Sequence, residues 1–310
     1  METATAFDAR TLVTSTGARL ALRVMPAAAP ARGVIQINHG LAEHSQRYRR
    51  FAEALAKRGY HVYAHDHRGH GATRAPDGIA RQFARERGVD KLIADVADVH
   101  AEIRKAHPGL PVIVFGHSLG SMVALNFAET HPENLAGLAC WNINVNAGLL
   151  GRVAQAILGI EAMLLGSDVA SRILPVLTFQ AWGKAVPGHR TPFDWLSHDP
   201  AEVDKYIADP LCGWDATVSM WQDTFAMMYR GGENLARLPS DLPVQLVGGA
   251  EDPATNKGRE VEWLARRMAA AGARDVSLTI LPGTRHESLN EINREANTAL
   301  FLDWADRVTG

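Results

Sequence analysis

The sequence predicts an α/β fold in which a mostly parallel sheet is covered by helices on both faces. Short apolar runs such as Val112–Phe115 and Val244–Gly249 alternate with segments of helical periodicity such as Asp90–His107. Strands that alternate with helices in this way form parallel sheets with helices on either side. The alternation stops near Asn142 and returns at Val244, which predicts a large insertion within one domain.

Composition narrows the class of protein. The 310 residues are many for one domain and few for two complete ones, and the 46% hydrophobic and 21% charged residues are typical of a globular chain. The net charge of -2 gives no indication of nucleic-acid binding. Residues 1–13 show no apolar secretory segment, and Cys140 and Cys212 form no CxxC pair. We therefore expect a cytoplasmic protein with reduced, buried thiols, although sequence alone leaves one disulfide open.

The amino-terminal half is predicted to start with an edge hairpin and then to alternate strand with helix. The hairpin covers residues 7–24 and turns at Ser15-Thr16-Gly17. The next predicted elements, in order, are a strand at Gly33–Asn38, a helix from about Arg47 to Arg58, a strand at Tyr60–His65, a helix at Asp90–His107, a strand at Val112–Phe115, a helix after Gly120 and a strand at Leu135–Trp141.

The segment 144–231 is predicted to form a helical cap over the carboxyl end of the sheet. It lacks strand–helix alternation and contains four of the seven tryptophans. Its most apolar tract, Ala147–Leu165, contains Arg152 and Glu161, so we do not expect it to span a bilayer. The core that contains the sheet is then residues 1–143 and 232–310. In the second part we expect strands at 244–249 and 276–281 and helices at about 258–271 and 292–307.

A candidate nucleophile lies between a buried strand and a helix. Gly116-His117-Ser118-Leu119-Gly120 has the pattern G-x-S-x-G, in the strand–turn–helix context that this motif requires. The sharp turn places the serine in an unfavourable backbone conformation, so its neighbours must be nearly free of side chains. The sequence therefore predicts that Ser118 is a nucleophile, with the Leu119 amide at a helix amino terminus donating to an oxyanion.

A serine hydroxyl needs an oriented base, and the chain offers one in a suitable order. Asp252 follows the predicted strand 244–249, and His286 follows the strand 276–281, so both loops open at the same sheet edge as Ser118. We predict that His286 is the base and that Asp252 orients it. Glu251 is the competing acid. The second oxyanion donor is expected after the first core strand, at the Leu41 amide beside Gly40.

Five segments together resemble the monoacylglycerol lipase and lysophospholipase group of α/β-hydrolases. They are HGLAEHSQRY (39–48), DHRGHG (66–71), GHSLG (116–120), EDP (251–253) and HESLNE (286–291). The resemblance covers nearly all of the chain outside the cap. It implies the α/β-hydrolase fold and a serine hydrolase that cleaves an ester of a fatty acyl chain, without a cofactor. In monoacylglycerol lipases, the residues that match Glu43 and Arg47 help hold the glycerol end of the substrate. A structural ion pair between Glu43 and Arg47 is the alternative.

Two departures from that group limit the assignment of the substrate. Leu289 stands where some monoacylglycerol lipases have a second histidine that contacts glycerol, and Ser121 stands where the family usually has glycine, which is expected to crowd the helix against the strand. A carboxylesterase, a thioesterase, a peptidase of the proline-iminopeptidase type or a carbon–carbon hydrolase would share the same three residues. A non-catalytic binding protein of the same fold is a more distant alternative.

The remaining expectations concern ligands and surfaces. The histidines and aspartate of 65–70 offer no second ligand set at zinc spacing, so no metal is expected there. The apolar tract 149–165 suggests transient contact of the cap with lipid surfaces. Trp221, Met220, Met227 and Met228 are candidates for an acyl channel, although apolar residues at helical spacing more often pack a core. The oligomeric state is left open.

Overall fold

A computed structural model describes residues 7–310, which form one eight-stranded sheet flanked by helices. The strands are β1 (Ala9–Val13), β2 (Arg19–Met25), β3 (Gly33–Asn38), β4 (Tyr60–His65), β5 (Val112–His117), β6 (Gly137–Trp141), β7 (Val244–Gly249) and β8 (Val276–Leu281). The helices are α1 (Arg49–Lys57), α2 (Gly88–Ala106), α3 (Leu119–Thr130), α4 (Gly148–Leu165), α5 (Leu174–Leu177), α6 (Phe179–Lys184), α7 (Pro200–Ala208), α8 (Val218–Glu233), α9 (Arg259–Ala270) and α10 (Arg294–Thr309).

The sheet has the order β1-β2-β4-β3-β5-β6-β7-β8. The first two strands pair antiparallel and form one edge, and all pairings from β4 through β8 are parallel. Because β3, β5, β7 and β8 run in the same direction, their carboxyl ends open at one edge, where ligands bind in open α/β sheets. The predicted α/β-hydrolase fold with a mostly parallel sheet is confirmed.

Two apolar cores lie on opposite faces of the sheet. One contains buried residues of α2, α3, α8 and α9, such as Val96 and Val123. The other contains residues of α1 and α10, such as Phe51 and Phe301. Strand β5 serves both cores, since Val114 faces the first and Phe115 the second. This explains why its sequence reads as a continuous apolar run.

The predicted element boundaries differ from the observed ones by a few residues at several ends. The helix expected from Arg47 begins as a 3₁₀ turn at Ser45–Tyr48 and continues as α1. Helix α2 begins two residues before Asp90, β6 begins at Gly137 instead of Leu135, and the last helix begins at Arg294. Helix ends are poorly defined by periodicity alone, since their first turns need no apolar pattern.

Between β6 and β7 the chain forms five helices, α4 to α8. Trp221 and Met227 of α8 join the same apolar core as α3, whereas most of α4 is exposed. Helix α4 is long and apolar enough to cross a membrane by length and composition, and 17% of it is buried in the protein. The division into a core and a cap with boundaries at 144 and 231 stays a prediction.

Both cysteines, Cys140 and Cys212, are buried free thiols, as expected for a reduced protein. Burial raises the pKa of each thiol well above its ordinary value. The expectation that no secretory segment is present concerns residues 1–13, of which 1–6 lie outside the described residues.

Candidate active site

Ser118 lies in a strained turn between β5 and α3. Its φ of 55° and ψ of −120° place it in a region that side-chain-bearing residues rarely adopt. The two flanking glycines leave no room for side chains. A Cβ on Gly116 would lie 2.2 Å from the Gly120 oxygen, and a Cβ on Gly120 would lie 2.0 Å from the Asn38 oxygen. The steric requirement that the motif predicts is therefore present in this turn.

Ser121 does not crowd the helix against the strand as the sequence suggested. Its buried hydroxyl lies 2.7 Å from the Gly116 carbonyl oxygen and 2.8 Å from the Trp141 carbonyl oxygen, and it can donate to either. The Ser118 amide donates to the same Trp141 carbonyl at 2.9 Å. Ser121 thus ties the start of α3 to two strands, and the substitution of glycine by serine adds hydrogen bonds at this position.

The structure brings Ser118, His286 and Asp252 into one hydrogen-bonded line. His286 Nε2 lies 2.8 Å from Ser118 Oγ, and His286 Nδ1 lies 2.9 Å from Asp252 Oδ2. A carboxylate can only accept, so Nδ1 carries the hydrogen and Nε2 is free to accept from the serine hydroxyl. The three side chains follow the carboxyl ends of the parallel strands β5, β7 and β8, as the sequence order predicted. The arrangement has the geometry of a nucleophile, a general base and an orienting acid.

Asp252 is fully buried, and each carboxylate oxygen has a partner. Its Oδ2 accepts from His286, from Asn142 Nδ2 at 3.0 Å and from Thr255 Oγ1 at 2.8 Å, and its Oδ1 accepts from the Ala254 amide at 2.9 Å. Burial alone would raise the pKa of this carboxyl, but the His286 charge and these hydrogen bonds outweigh it and lower the pKa. Asp252 therefore stays ionised beside the histidine at neutral pH.

Glu251, the competing acid in the sequence, points elsewhere. Its carboxylate is half exposed and lies 3.0 Å from His198 Nε2. It has no contact with His286 among the hydrogen bonds of residues 7–310. Of the two acidic residues, Asp252 alone is placed to orient the histidine.

The two residues expected to supply the oxyanion donors lie at the serine cavity. Leu41 and Leu119 both line the cavity that contains Ser118 and His286. Leu119 is the first residue of α3, so its amide has no partner within the helix. Within residues 7–310, neither amide donates to another segment. Both donors are thus available to a ligand, which agrees with their predicted role without testing it.

Glu43 and Arg47 lie together in a buried ion pair. Arg47 Nη1 is 2.6 Å from Glu43 Oε2, and the same guanidinium bonds both carboxylate oxygens of Glu287 at 2.5 and 2.7 Å. Their side chains are 4% and 11% exposed. Both residues line a small cleft beside the serine cavity. The structure therefore contains the ion pair that was the alternative to a role in substrate binding.

Apart from Trp221, the side chains that enclose the cavity over Ser118 from the cap were not predicted from the sequence to line it. Its cap side consists largely of aromatic and apolar side chains, namely Phe179, Trp182, Trp195, Leu196 and Trp221. The Trp195 ring lies 4.9 Å from the His286 ring, and the Trp195 carbonyl accepts from the His286 amide at 3.3 Å. The cavity over Ser118 has a volume of about 80 Å³. Of the four suggested channel residues, Trp221 reaches it, whereas Met220 and Met227 are core residues and Met228 packs against the core.

The histidine-rich loop does not assemble a metal centre in the part of the chain that the structure describes. The rings of His39, His65, His67 and His70 are buried and lie close together, with His39 and His67 centroids 4.3 Å apart. They do not form a set of three ligand atoms within 4.8 Å of one another. Within residues 7–310 such a set occurs at His44, Asp209 and Cys212, where His44 Nε2 and Asp209 Oδ2 already form an ion pair at 2.9 Å.

Comparison with known proteins agrees with this geometry. Residues 29–293 match the family described as serine aminopeptidase, S33. The chain belongs to this family. It is 27% identical over 292 residues to a monoacylglycerol lipase of Mycolicibacterium smegmatis, an alignment that covers 89% of this chain and 88% of the relative. It is also 27% identical over 289 residues to the human monoglyceride lipase, covering 93% and 86%.

Solved structures show the same architecture. A thermostable carboxyl esterase from Bacillus coagulans, crystallised with glycerol, superposes with a TM-score of 0.87 and 23% sequence identity, covering 98% of this chain and 99% of the esterase. At this identity the likeness establishes the fold. The family match and the lipase relatives identify this S33-family protein as a monoacylglycerol-lipase-like serine ester hydrolase.

Proposed function

We propose that this S33-family protein hydrolyses carboxylic esters through an acyl-enzyme on Ser118. The single observation that carries the proposal is the hydrogen-bonded line from Ser118 through His286 to Asp252. Ser118 Oγ attacks the ester carbonyl carbon while its proton passes to His286 Nε2. The tetrahedral intermediate expels the alcohol, which takes that proton from His286. Water then attacks the acyl-enzyme in the same way and releases the carboxylic acid.

Two backbone amides are proposed to stabilise the negative oxygen of the intermediate. The Leu119 amide lies at the amino terminus of α3, where the helix dipole favours an anion. The Leu41 amide approaches from the other side of the cavity, next to Gly40, which has no side chain to block it. Removal of one such donor typically lowers the rate about 10²- to 10³-fold. The donors sit on rigid backbone, so they need no rearrangement during the reaction.

The proposed substrate class is a monoacylglycerol, with lysophospholipid as the second lipid candidate. The aromatic cap side of the cavity over Ser118 suits an acyl chain. The two carboxylates that line the same cavity, Glu43 and Glu287, are both paired with Arg47, which disfavours their use in binding the amino terminus of a peptide. The relatives described as monoacylglycerol or monoglyceride lipases support the same assignment. A carboxylesterase or thioesterase would use the same three residues on a smaller acyl group.

We further propose that the segment 144–231 acts as a cap that moves to admit long acyl chains. The cavity over Ser118, of about 80 Å³, is far smaller than the roughly 300–1,000 Å³ typical of small-molecule pockets. It holds a short acyl group in this conformation. A long chain requires that Phe179, Trp195 or their neighbours shift away from Ser118, since these side chains close the cavity from the cap side.

Hydrolysis of a matched substrate series tests the proposal. The series contains 1-monoacylglycerols, lysophosphatidylcholine and p-nitrophenyl esters from C2 to C16, with Ser118→Ala as the blank. We expect long-chain monoacylglycerol to give the highest kcat/KM and the blank to give none. Activity limited to short p-nitrophenyl esters would retain the acyl-enzyme proposal and reject both the lipid substrate and the moving cap. Cleavage in the Ser118→Ala variant at the wild-type rate would reject the nucleophile.

The exposed face of α4 is proposed to rest on a lipid surface. Leu149, Leu150, Met163 and Leu164 are each at least 74% exposed. The opposite face is held inside the cap, where buried Glu161 accepts from the Ser171 hydroxyl at 2.7 Å and the Arg172 amide at 2.6 Å. A helix with one anchored polar group and one exposed apolar face suits the interface plane better than the bilayer interior. The two free thiols support a cytoplasmic location for an enzyme that binds lipid surfaces in this way.

Sedimentation with phosphatidylcholine vesicles tests the lipid contact. We expect Leu150→Glu with Met163→Glu to lower vesicle binding at least about tenfold, because two charges enter the apolar interface, and to leave hydrolysis of a soluble short ester unchanged. Val13→Glu is the matched control, since Val13 is also exposed but lies on β1 at the sheet edge. Equal binding by the double variant and the wild type would reject this surface.

A further inference from the structure

Four buried ionisable residues connect the Leu41 loop, the Ser118 turn and the His286 loop. We call Glu43, Arg47, His117 and Glu287 the bridging network. Glu43 and Arg47 follow the Leu41 loop, His117 directly precedes Ser118, and Glu287 directly follows His286. All four side chains are at most 11% exposed. Buried charges are costly unless each is paired, so the pattern of pairing shows what the network does.

The Glu43 carboxylate is occupied on both oxygens. Oε1 accepts from the Gly40 amide at 2.5 Å and from the Tyr48 hydroxyl at 2.9 Å, and it lies 3.5 Å from His117 Nδ1. Oε2 accepts from Arg47 at 2.6 Å. The Gly40 amide precedes Leu41, so this carboxylate fixes the backbone that carries one proposed oxyanion donor. The Glu43 side chain is 4% exposed, so little of it is open to a glycerol hydroxyl.

Arg47 extends the connection to the histidine loop. Its guanidinium donates hydrogen bonds to both oxygens of Glu287 and to one oxygen of Glu43, and it lies over the Tyr206 ring at 4.9 Å. Bidentate arginine–carboxylate pairs fix orientation as well as charge. Because Glu287 adjoins His286 along the backbone, the ion pair constrains where the base sits relative to the Leu41 loop.

Both ring nitrogens of His117 face acceptors. Nε2 lies 2.9 Å from the backbone carbonyl of His286, and Nδ1 faces the Glu43 carboxylate. A neutral imidazole donates from one nitrogen only, whereas an imidazolium donates from both. Burial alone would lower the pKa of His117, but the hydrogen bond and charge of Glu43 and the His286 carbonyl outweigh it, and the pKa is raised. The ionisable groups that face this ring are Glu43 from the Leu41 loop and His286 and Glu287 from the histidine loop.

We propose that His117 is a positioning residue, held as an imidazolium between Glu43 and the His286 carbonyl, and that Glu43 and Arg47 act through this network and not by binding glycerol. This rests on the proposed ester hydrolysis. The network aligns the nucleophile turn, the base and one oxyanion donor. His117 precedes Ser118, Glu287 follows His286, and Glu43 accepts from the Gly40 amide beside Leu41. Arg47 links Glu43 to Glu287.

A comparison of two esters with the same acyl group separates positioning from glycerol binding. The substrates are 1-monobutyrylglycerol and p-nitrophenyl butyrate, of which only the first contains glycerol. We expect Glu43→Gln and His117→Gln to lower kcat by about 10- to 100-fold on both esters, as misplacement of reacting groups does, with KM little changed. Arg50→Gln is the matched control, because Arg50 lines the same cleft but pairs at the surface with Glu202. Loss confined to the glycerol ester, or to its KM, would overturn the proposal.

The dependence of kcat on pH distinguishes positioning by a charged His117 from a purely structural role, which would leave this dependence unchanged. Wild-type kcat on p-nitrophenyl butyrate is expected to fall as pH rises through the raised pKa of His117, since the imidazolium then loses one donated hydrogen bond. In Glu43→Gln this alkaline limb is expected at lower pH, and in His117→Gln it is expected to be absent. An alkaline limb unchanged in both variants would contradict the proposal. Thermal unfolding of each variant shows whether it is folded.

Nuclear magnetic resonance tests the network independently of turnover. With ¹⁵N-histidine labelling, we expect both ring N–H signals of His117 to persist to a pH above that of an ordinary histidine, and one to be lost at neutral pH in Glu43→Gln. Absence of any esterase activity alongside these signals would reject the proposed function and leave the network standing. A single ring N–H signal at neutral pH in the wild type would reject the network, whatever the activity.

Discussion

Asp252→Asn changes one atom of a buried side chain and is expected to remove nearly all turnover. In the wild type, Asp252 Oδ2 accepts three hydrogen bonds and Oδ1 accepts one from a backbone amide that cannot rotate away. The asparagine side chain has two orientations. If its NH₂ group takes the place of Oδ2, it faces three donors. If its NH₂ group takes the place of Oδ1, it faces the Ala254 N–H. The first orientation favours the His286 tautomer with its hydrogen on Nε2, which cannot accept the Ser118 proton.

The size of the effect follows from these contacts. The wrong tautomer of the base lowers kcat by about 10⁴-fold in triads of this kind, which corresponds to about 5 kcal/mol of barrier. The stability loss is expected to be smaller, about 1–3 kcal/mol, the cost of buried polar groups left without a proper partner. Substrate binding should change little, because the Asp252 side chain is fully buried behind His286 and does not line the cavity.

Steady-state kinetics with p-nitrophenyl butyrate and urea unfolding measure the two effects separately. Glu251→Gln is the matched control, since it removes a neighbouring carboxylate that contacts His198 at the surface. We expect the control to keep kcat within about threefold of wild type, as surface substitutions away from the site do. Near-normal kcat in Asp252→Asn together with a large loss in Glu251→Gln would refute the assignment of the acid.

Three further predictions concern stability. Gly120→Ala is expected to lower the free energy of unfolding by about 3 kcal/mol, because its Cβ would lie 2.0 Å from the Asn38 oxygen; an unchanged urea midpoint would contradict this. Ser121→Ala is expected to cost about 1 kcal/mol for the lost hydroxyl hydrogen bond, and a stabilised variant would contradict it. Burial alone would raise the pKa of Asp66, but the His39 ring and hydrogen bonds from Ser45 and Ala72 lower it, so its stabilisation is present above about pH 4 and lost as pH falls through the lowered pKa. Asp66→Asn should therefore flatten the decline in stability between pH 5 and 3, measured by urea unfolding at each pH; parallel curves would reject it.

The fold and the three catalytic candidates could be predicted because each depends on local patterns. The strands before Ser118 and Asp252 are buried on both faces, the strand before His286 is a partly exposed edge strand, and parallel topology places their carboxyl ends together. The order of the three residues then fixed which side chains would meet. The choice of Asp252 over Glu251 also depended on a local feature, the turn at Pro253.

The surroundings of the site could not be predicted, because they depend on contacts between distant segments. Trp195 lies over His286 although 91 residues separate them, and no periodicity in the cap indicates which tryptophan faces the cavity. Asn142 marked only the end of the strand–helix alternation, yet its side chain donates to Asp252. His117 occupies a variable position of the motif, so its contact with Glu43 has no sequence pattern.

Covalent labelling of Ser118 tests the central claim most directly. The wild-type protein and Ser118→Ala are treated with a fluorophosphonate probe, and the modified peptide is identified by mass spectrometry. We expect one adduct, on Ser118 within the peptide that contains GHSLG, and no adduct in the variant. The label should also disappear in His286→Ala, because the serine then has no base. Labelling of another serine, or equal labelling of the wild type and Ser118→Ala, would contradict the account of a serine hydrolase that acts through this residue.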